Sequence, residues 1–358
     1  MKIDKGDFLD VSGNYELKGA YIELTSECNL RCKHCYNKSG QAADVISPIA
    51  FENVVGDLES ATGTVTLSGG EPLLSPHIWD YIEILRERKF YRPLIITNAT
   101  LIDKEVARKL ADANIVVQVS INGSSADTHD VLCGKGAFER TMAGLKNLLN
   151  IGYYNIVVRA TLSKINRHDM PQFIDLIKSL GLNNISIALL TNMGRATSNN
   201  DILTMSLQEK IDIINYLNHN EEFLEKIDGM LVDVPEEETT AGCPLILNGK
   251  DIPLTPKIDP KGFVHICQIM FDKLYSVGNV NNMPLKQIVT SSEFSNLIWF
   301  LRFGSQYMSA CQSCIWQSTC GKGCIADCVN NGSIQCTDGK CPERKMMFRK
   351  EFGKGNLS

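Results

Sequence analysis

The sequence lacks any apolar run approaching the roughly 20 residues that a membrane-spanning helix requires, and its longest apolar runs are strand-sized. It also lacks a secretory signal. Met1 to Leu17 carries acidic and polar residues where a signal would have a basic start and an apolar core, so a cytoplasmic protein with no membrane partner is expected. No surplus of positive charge is present, with 36 Lys and Arg against 41 Asp and Glu, which argues against nucleic acid as a partner. No internal repeat or low-complexity tract interrupts the chain. What remains is an ordinary globular composition, 44% hydrophobic and 22% charged, in 358 residues, enough for one large domain and a small one.

Cysteine is the exception, with 13 copies. Three lie between Cys28 and Cys35, Cys133 stands alone, and nine fall between Cys243 and Cys341. A disulfide scaffold would need an oxidising compartment, which the missing signal argues against, so iron–sulfur ligation is the better account.

Cys28-Asn29-Leu30-Arg31-Cys32-Lys33-His34-Cys35 follows a β-patterned run, Ala20 to Thr25. A four-iron cluster takes four ligands, so three closely spaced thiolates hold it and leave one iron open to chemistry. A zinc knuckle is the plainer reading of the same triplet. The spacing resembles the signature of the radical S-adenosylmethionine (radical SAM) enzymes, with Cys28, Cys32 and Cys35 at its three positions. That resemblance implies that the open iron chelates the amino and carboxylate groups of SAM. It also implies that one electron cleaves SAM to methionine and a 5′-deoxyadenosyl radical.

Short β-branched runs then alternate with amphipathic segments. Strands are predicted at Ala20 to Thr25, Thr64 to Leu67, Leu94 to Thr97, Ile115 to Ile121, Ile156 to Leu162 and Ile185 to Leu190. Helical windows fall at Pro48 to Leu58, Pro76 to Arg88, Lys104 to Ala113, Phe138 to Leu149 and Met170 to Leu180. Six βα units give an α/β fold with a parallel sheet, either a partial barrel or a doubly wound flat sheet. The resemblance favours a partial (β/α)6 barrel with its chemistry at the carboxyl ends of the strands. Ser206 to Asp228 reads as one or two charged helices, followed by the acidic Glu236, Glu237 and Glu238. The expected division is an N-terminal segment 1–17, a barrel 18–230 and a small cluster-binding domain 231–358.

Gly69-Gly70-Glu71-Pro72 ends the second strand; paired glycines admit a ligand close to the backbone, and a carboxylate beside them holds a cation. It resembles the GGE motif of the family, whose Glu71 would meet the SAM ammonium. By the same resemblance Asn98 after the third strand, and Ser120 and Asn122 after the fourth, lie near the SAM ribose and carboxylate; a turn role is the alternative for Asn122. Arg159 inside the fifth strand needs a carboxylate, from SAM or from a core acid. Gly194-Arg195-Ala196 resembles an element common in one subgroup. His34 and Tyr36 are expected near the adenine. Cys133 stands where relatives have arginine, and its thiol is either a hydrogen donor to a substrate radical or a small buried hydrophobe.

Cys311-x2-Cys314-x5-Cys320-x3-Cys324 is preceded by Cys243 and Cys267 and followed by Cys328, Cys336 and Cys341. This pattern resembles the SPASM extension of radical SAM enzymes, which binds two auxiliary [4Fe–4S] clusters. The analogy assigns Cys243, Cys267 and Cys324 to the nearer cluster, and Cys311, Cys314, Cys320 and Cys341 to the farther one. Cys328 or Cys336 would complete the nearer set, or its fourth iron stays open. Enzymes of this arrangement usually act on peptides. The resemblance therefore implies a radical SAM oxidoreductase that abstracts hydrogen from a peptide substrate, forming thioether or carbon crosslinks or inverting α-carbons, with a reductant such as flavodoxin or ferredoxin as partner. Small-molecule or cofactor biosynthesis and sulfatase-maturase-type oxidation are the alternatives. A third reading, an iron–sulfur electron carrier, is disfavoured by the Gly-Gly-Glu-Pro element. Only about 20 residues precede the first strand, so an N-terminal winged-helix peptide-recognition domain is not expected.

Overall fold

Six short strands, β1 (Gly19–Thr25), β2 (Thr64–Gly69), β3 (Leu94–Thr97), β4 (Val116–Ser120), β5 (Ile156–Leu162) and β6 (Asn184–Leu189), alternate with helices. These are α1 (Pro48–Gly56), α2 (Ile78–Glu87), α3 (Lys104–Asp112), α4 (Ala126–Cys133), α5 (Ala137–Asn150) and α6 (Met170–Ser179). The computed structural model describes residues 15–58, 63–234, 252–320, 323–330, 341, 342, 344, 345, 348 and 349. Local chemistry sets several helix starts. Ser47 Oγ accepts the Ala50 N–H at 3.1 Å with Pro48 at the first helical position, and Asp103 accepts the N–H groups of Glu105 and Val106. Losing such a cap costs about 1 kcal/mol.

Each of these strands pairs in parallel with its successor in the chain. A doubly wound sheet reverses strand order at a switch point, and this one does not. The crossovers therefore all run in one direction and the sheet curls into a partial barrel. Burial alternates accordingly along β5, where Ile156, Val158, Ala160 and Leu162 are buried, and Val157, Arg159 and Thr161 are half-buried on the opposite face. The buried side joins Phe51, Leu85, Leu110, Leu145 and Ile177 of the helices in one apolar core. The other side is polar, with Ser68, Gln118, Ser120, Arg159 and Thr161 lining a cavity. A closed barrel fills its interior with branched apolar side chains; this one keeps a wet lumen.

Beyond β6 the structure departs from the expected division. Strand β7 (Leu231–Asp233) pairs in parallel with β6. Strand β8 (Lys257–Ile258) returns to the opposite edge and pairs in parallel with β1, followed by antiparallel β9 (Phe263–His265) and β10 (Gly278–Asn279). A boundary at residue 230 thus cuts through a ten-stranded sheet. Strands of two or three residues carry no readable period, which is why the sequence suggests none there. The link is electrostatic as well: Lys257, fully buried, has its Nζ 3.5 Å from Glu23 of β1. Helix α4 was also not anticipated. The predicted charged helices are α7 (Leu207–His219), which starts with a Ser206–Glu209 capping box, and α8 (Glu221–Lys226). Glu236, Glu237 and Glu238 lie outside the described residues. Among those residues, no helix is long and apolar enough to cross a membrane.

Candidate active site

The lumen holds a cavity of about 500 Å³, a size suited to a nucleoside-sized ligand. Cys28, Cys32 and Cys35 line it. Distant parts of the chain fix their loop. The Lys33 N–H donates to Leu132 O at 2.8 Å, and the Arg195 N–H donates to Cys35 O at 2.9 Å. The Arg195 guanidinium donates to Cys32 O at 2.9 Å and to Ser39 O at 2.8 Å. Gly194 comes so close that a Cβ would fall 2.1 Å from Tyr36 O, and its φ of +61° suits glycine. Gly70 is equally constrained, since its Cβ would fall 1.9 Å from Glu27 O. The Gly-Arg-Ala and Gly-Gly elements therefore clamp the cysteine loop from two sides. Arg195 is the residue that sequence reasoning undervalued; its partners are backbone carbonyls, which leave no mark in the sequence.

Gly69 and Gly70 line the cavity beside the cysteines, as do Asn98, Ser120, Asn122 and Arg159. Glu71 does not. Its carboxylate is buried, accepting the Thr97 hydroxyl at 2.7 Å, the Asn98 N–H at 2.8 Å and the Leu73 N–H at 3.3 Å. Its oxygens join the ends of β2 and β3. Burial pushes this carboxyl up to about 7 despite those three donors. Arg159 Nη1 donates to Ser186 Oγ at 2.8 Å, and Ser186 in turn donates to Asp233 at 3.0 Å, so an exposed acid of the edge strand β7 reaches the arginine through one hydroxyl. Tyr36 also lines the cavity, its hydroxyl 3.1 Å from Tyr21, which bonds Ser68 Oγ at 2.6 Å. Asn37, another lining residue, donates to Glu23 at 2.8 Å.

His34, His129 and Cys133 complete one wall. Burial holds both imidazoles neutral, pushing each down to about 4. The Asn122 N–H donates to His129 Nδ1 at 3.0 Å, which fixes that ring and its tautomer.

The thiols fit an iron–sulfur cluster. Burial, reinforced by the charges of Glu71, Cys32 and Cys35, pushes Cys28 up to about 11. Cys32 is also raised, by its hydrogen bond with Cys133 and then by burial. Thiols this dry become thiolates only when a metal supplies the opposing charge. Two C-terminal cysteines behave alike. Burial raises Cys267 and Cys324, and the two lie close enough for the Cys267 charge to act on Cys324. Cys311, Cys314, Cys320 and Cys341 line one small cavity with Arg344, whose Nη1 is 3.7 Å from Cys320 Sγ. Cys328 is buried one helical turn beyond Cys324. Cys243 and Cys336 lie outside the described residues. Gln268 and Ile269, next to Cys267, form part of the barrel cavity wall.

Comparison with known proteins agrees with this geometry. Residues 22–177 match the family model of the Radical SAM superfamily, and residues 256–315 match that of the iron-sulfur cluster-binding SPASM domain. The chain is 28% identical over 313 residues to the mycofactocin maturase MftC of Mycobacterium tuberculosis (strain CDC 1551 / Oshkosh), covering 85% of this chain and 77% of that one. It is 26% identical over 332 residues to the AdoMet-dependent heme synthase of Methanosarcina barkeri, covering 85% and 90%. The fold is similar to that of Streptococcus suis SuiB bound to precursor peptide SuiA, with a TM-score of 0.70 at 17% identity, covering 91% of this chain and 76% of that one. The first domain binds SAM and a [4Fe–4S] cluster and the second binds auxiliary iron–sulfur clusters. With three thiols at the floor of a polar half-barrel and a second thiol-rich unit built onto the same sheet, the chain belongs to the radical SAM enzymes that carry a SPASM domain.

Proposed function

We propose that this enzyme matures a ribosomally made peptide, forming a thioether or carbon crosslink or inverting an α-carbon. The observation that carries this reading is the cavity wall: Gln268 and Ile269, beside Cys267, face the same lumen as Cys28, Cys32 and Cys35. A substrate held there lies between the barrel thiols and the nearer C-terminal thiols. One structural neighbour, Streptococcus suis SuiB, is bound to a precursor peptide, and one sequence relative is a maturase.

Cys28, Cys32 and Cys35 hold the barrel cluster, and the cavity floor beside it receives SAM. Held by these three thiols, a reduced cluster would supply the electron for reductive cleavage of SAM, the source of the radical chemistry. The chain's own residues do the positioning. Gly69 and Gly70 leave room for the ligand's amino acid part, while Asn98, Ser120 and Asn122 offer hydrogen bonds from the strand ends. Arg159, anchored by Ser186, presents positive charge to a carboxylate. Tyr36 packs at the adenine. Cys267, Cys324 and Cys328 with Cys243 would hold the nearer auxiliary cluster, and Cys311, Cys314, Cys320 and Cys341 the farther one. A small reductant protein such as a flavodoxin or ferredoxin supplies electrons in the cytoplasm.

Anaerobic incubation with precursor peptides, followed by mass spectrometry, tests this. A loss of two hydrogens reports a crosslink, whereas an unchanged covalent skeleton with one solvent deuteron reports epimerisation. Conversion of a tetrapyrrole with no action on any peptide would favour the cofactor-biosynthesis reading, which the heme synthase relative supports.

A further inference from the structure

Asn37 lines the barrel cavity just beyond Cys35, and its side chain is tied down from behind the wall. Asn37 Nδ2 donates to Glu23 Oε1 at 2.8 Å, and Glu23 is 3% exposed on β1. The same Oε1 lies 3.5 Å from Nζ of the fully buried Lys257 on β8. Register places Lys257 opposite Tyr21, on the face of β1 that also carries Glu23. A carboxylate only accepts hydrogen bonds, so the NH2 arm of Asn37 must face Glu23 and the Oδ1 arm must turn away from it. Among the described residues nothing donates to that oxygen. The next residue, Lys38, is left-handed at φ +52°, a conformation that persists only when its surroundings impose it. The turn is braced by the Gly40 N–H donating to Ser26 O at 2.7 Å and by Arg195 donating to Ser39 O at 2.8 Å.

We propose that Asn37 Oδ1 accepts a hydrogen bond from a backbone N–H of the peptide substrate, with Glu23 and Lys257 as positioning residues that hold the carboxamide in that orientation. The assignment rests on the peptide reading above and narrows it to recognition of main chain. A carboxamide that turns over exchanges acceptor for donor; the Glu23 carboxylate removes this freedom before substrate arrives, which lowers the cost of binding. An oxygen acceptor suits an N–H and is a poor partner for a carboxylate, so this part of the wall favours a peptide amide over an acidic tetrapyrrole. The ion pair also brings Asn37 to the side of the cavity that the C-terminal unit closes with Gln268 and Ile269. One strand of that unit therefore helps to aim a group in the barrel wall.

The test uses the holoenzyme and the precursor peptide that mass spectrometry identifies as its substrate. Replacing single amides of that peptide by esters removes one N–H at a time and adds no bulk. At one position near the modified residue, the ester should raise the wild-type KM for peptide about tenfold and leave kcat within about twofold, the signature of one lost binding hydrogen bond. N37A should show that rise with the all-amide peptide and no further rise with the ester. If N37A does not load its iron, N37S, whose shorter side chain does not carry the acceptor into the cavity, has the same expectation. E23Q/K257M frees the carboxamide without stranding a buried charge, and should shrink the ester penalty to about threefold. Equal ester penalties in wild type and the Asn37 variants overturn the proposal, as does a wild-type enzyme with no ester-sensitive position. A raised KM for SAM with an unchanged KM for peptide overturns it too, and a full penalty in E23Q/K257M overturns the positioning role. Failure of the wild-type holoenzyme to convert any peptide would instead overturn the peptide reading itself.

Discussion

The loop of Cys28, Cys32 and Cys35 is held by groups far off in the chain, whereas the backbone N–H groups of Cys311, Cys314 and Cys320 are bonded within one turn. Arg195 reaches Cys32 O across 163 residues, and Gly70 and Leu132 brace the same loop. In the C-terminal set, the Cys311 N–H donates to Met308 O, Cys314 to Cys311 O and Cys320 to Trp316 O, spans of one turn. The helices there, Ser309–Gln312 and Gln317–Cys320, have four residues each. A turn that short supplies little stability alone. Trp316 stacks on Phe348, with ring centroids 5.1 Å apart, and Gln317 Nε2 donates to Ser305 O at 3.0 Å. The barrel thiols are therefore arranged by the fold before metal arrives, while the C-terminal thiols need metal to fix their arrangement.

The largest effect should come from the thiols themselves. Replacing Cys28, Cys32 or Cys35 with alanine should abolish SAM cleavage and lower iron from about twelve to about eight per chain, four per cluster lost. C320A should keep 5′-deoxyadenosine formation and lose peptide product. Chromatography of the nucleoside and iron analysis check both. If C320A also stops cleavage, the two regions are not separable. Next, stripping the iron with a chelator should collapse amide hydrogen-exchange protection around Cys311 to Cys320 while leaving that of Lys33 and Cys35 largely intact. Equal loss in both would erase the contrast.

Arg195→Ala removes two hydrogen bonds from the barrel loop, those of the guanidinium to Cys32 O and Ser39 O, and keeps the backbone bond to Cys35 O. It should cost about 3 kcal/mol in urea unfolding of the metal-free protein, each bond being worth about 1 kcal/mol with a further penalty for stranded carbonyls. Lysine at this position should restore little, because it lacks the forked donor geometry.

The smallest effect is the acid response of the wall. His129 is held neutral in the fold, down to about 4, by burial, against an ordinary value of 6.5. Below 6.5 the unfolded chain takes up the proton first. Its contribution is thus complete above that pH and is lost as pH falls towards 4, amounting to about 2 kcal/mol at pH 5. His129→Gln should flatten the stability profile between pH 7 and 5; an unaltered slope would show that burial of this ring does not carry the effect.

Much of this was legible in the residues. Strands Leu94–Thr97 and Ile156–Leu162 fall where the β-branched runs place them, because the residues on their core face alternate with half-buried ones on the lumen face. Cys28, Tyr36, Gly70, Asn98, Ser120, Asn122 and Arg159 meet around one lumen. Other features left no signal. The eight residues of α4 offer too few apolar positions for a period, though Ser125 before it and Gly134 after it, with φ of +106°, mark its ends. Glu71 carries the right charge for a ligand, yet three donors turn it inwards, and its motif does not reveal those donors. The short strands β7 and β8 exist because β6 and β1 offer unpaired backbone groups, a tertiary cause invisible to local pattern.

Gln268 and Ile269 make the C-terminal unit one panel of the cavity that the proposed function uses as its reaction chamber. In that proposal radical generation is housed in the barrel loop, while part of the surface facing a substrate belongs to a segment joined at one sheet edge. Such a layout lets substrate range diverge by recasting one panel as the generator stays constant. A chimera exchanging that panel is therefore the natural unit of redesign.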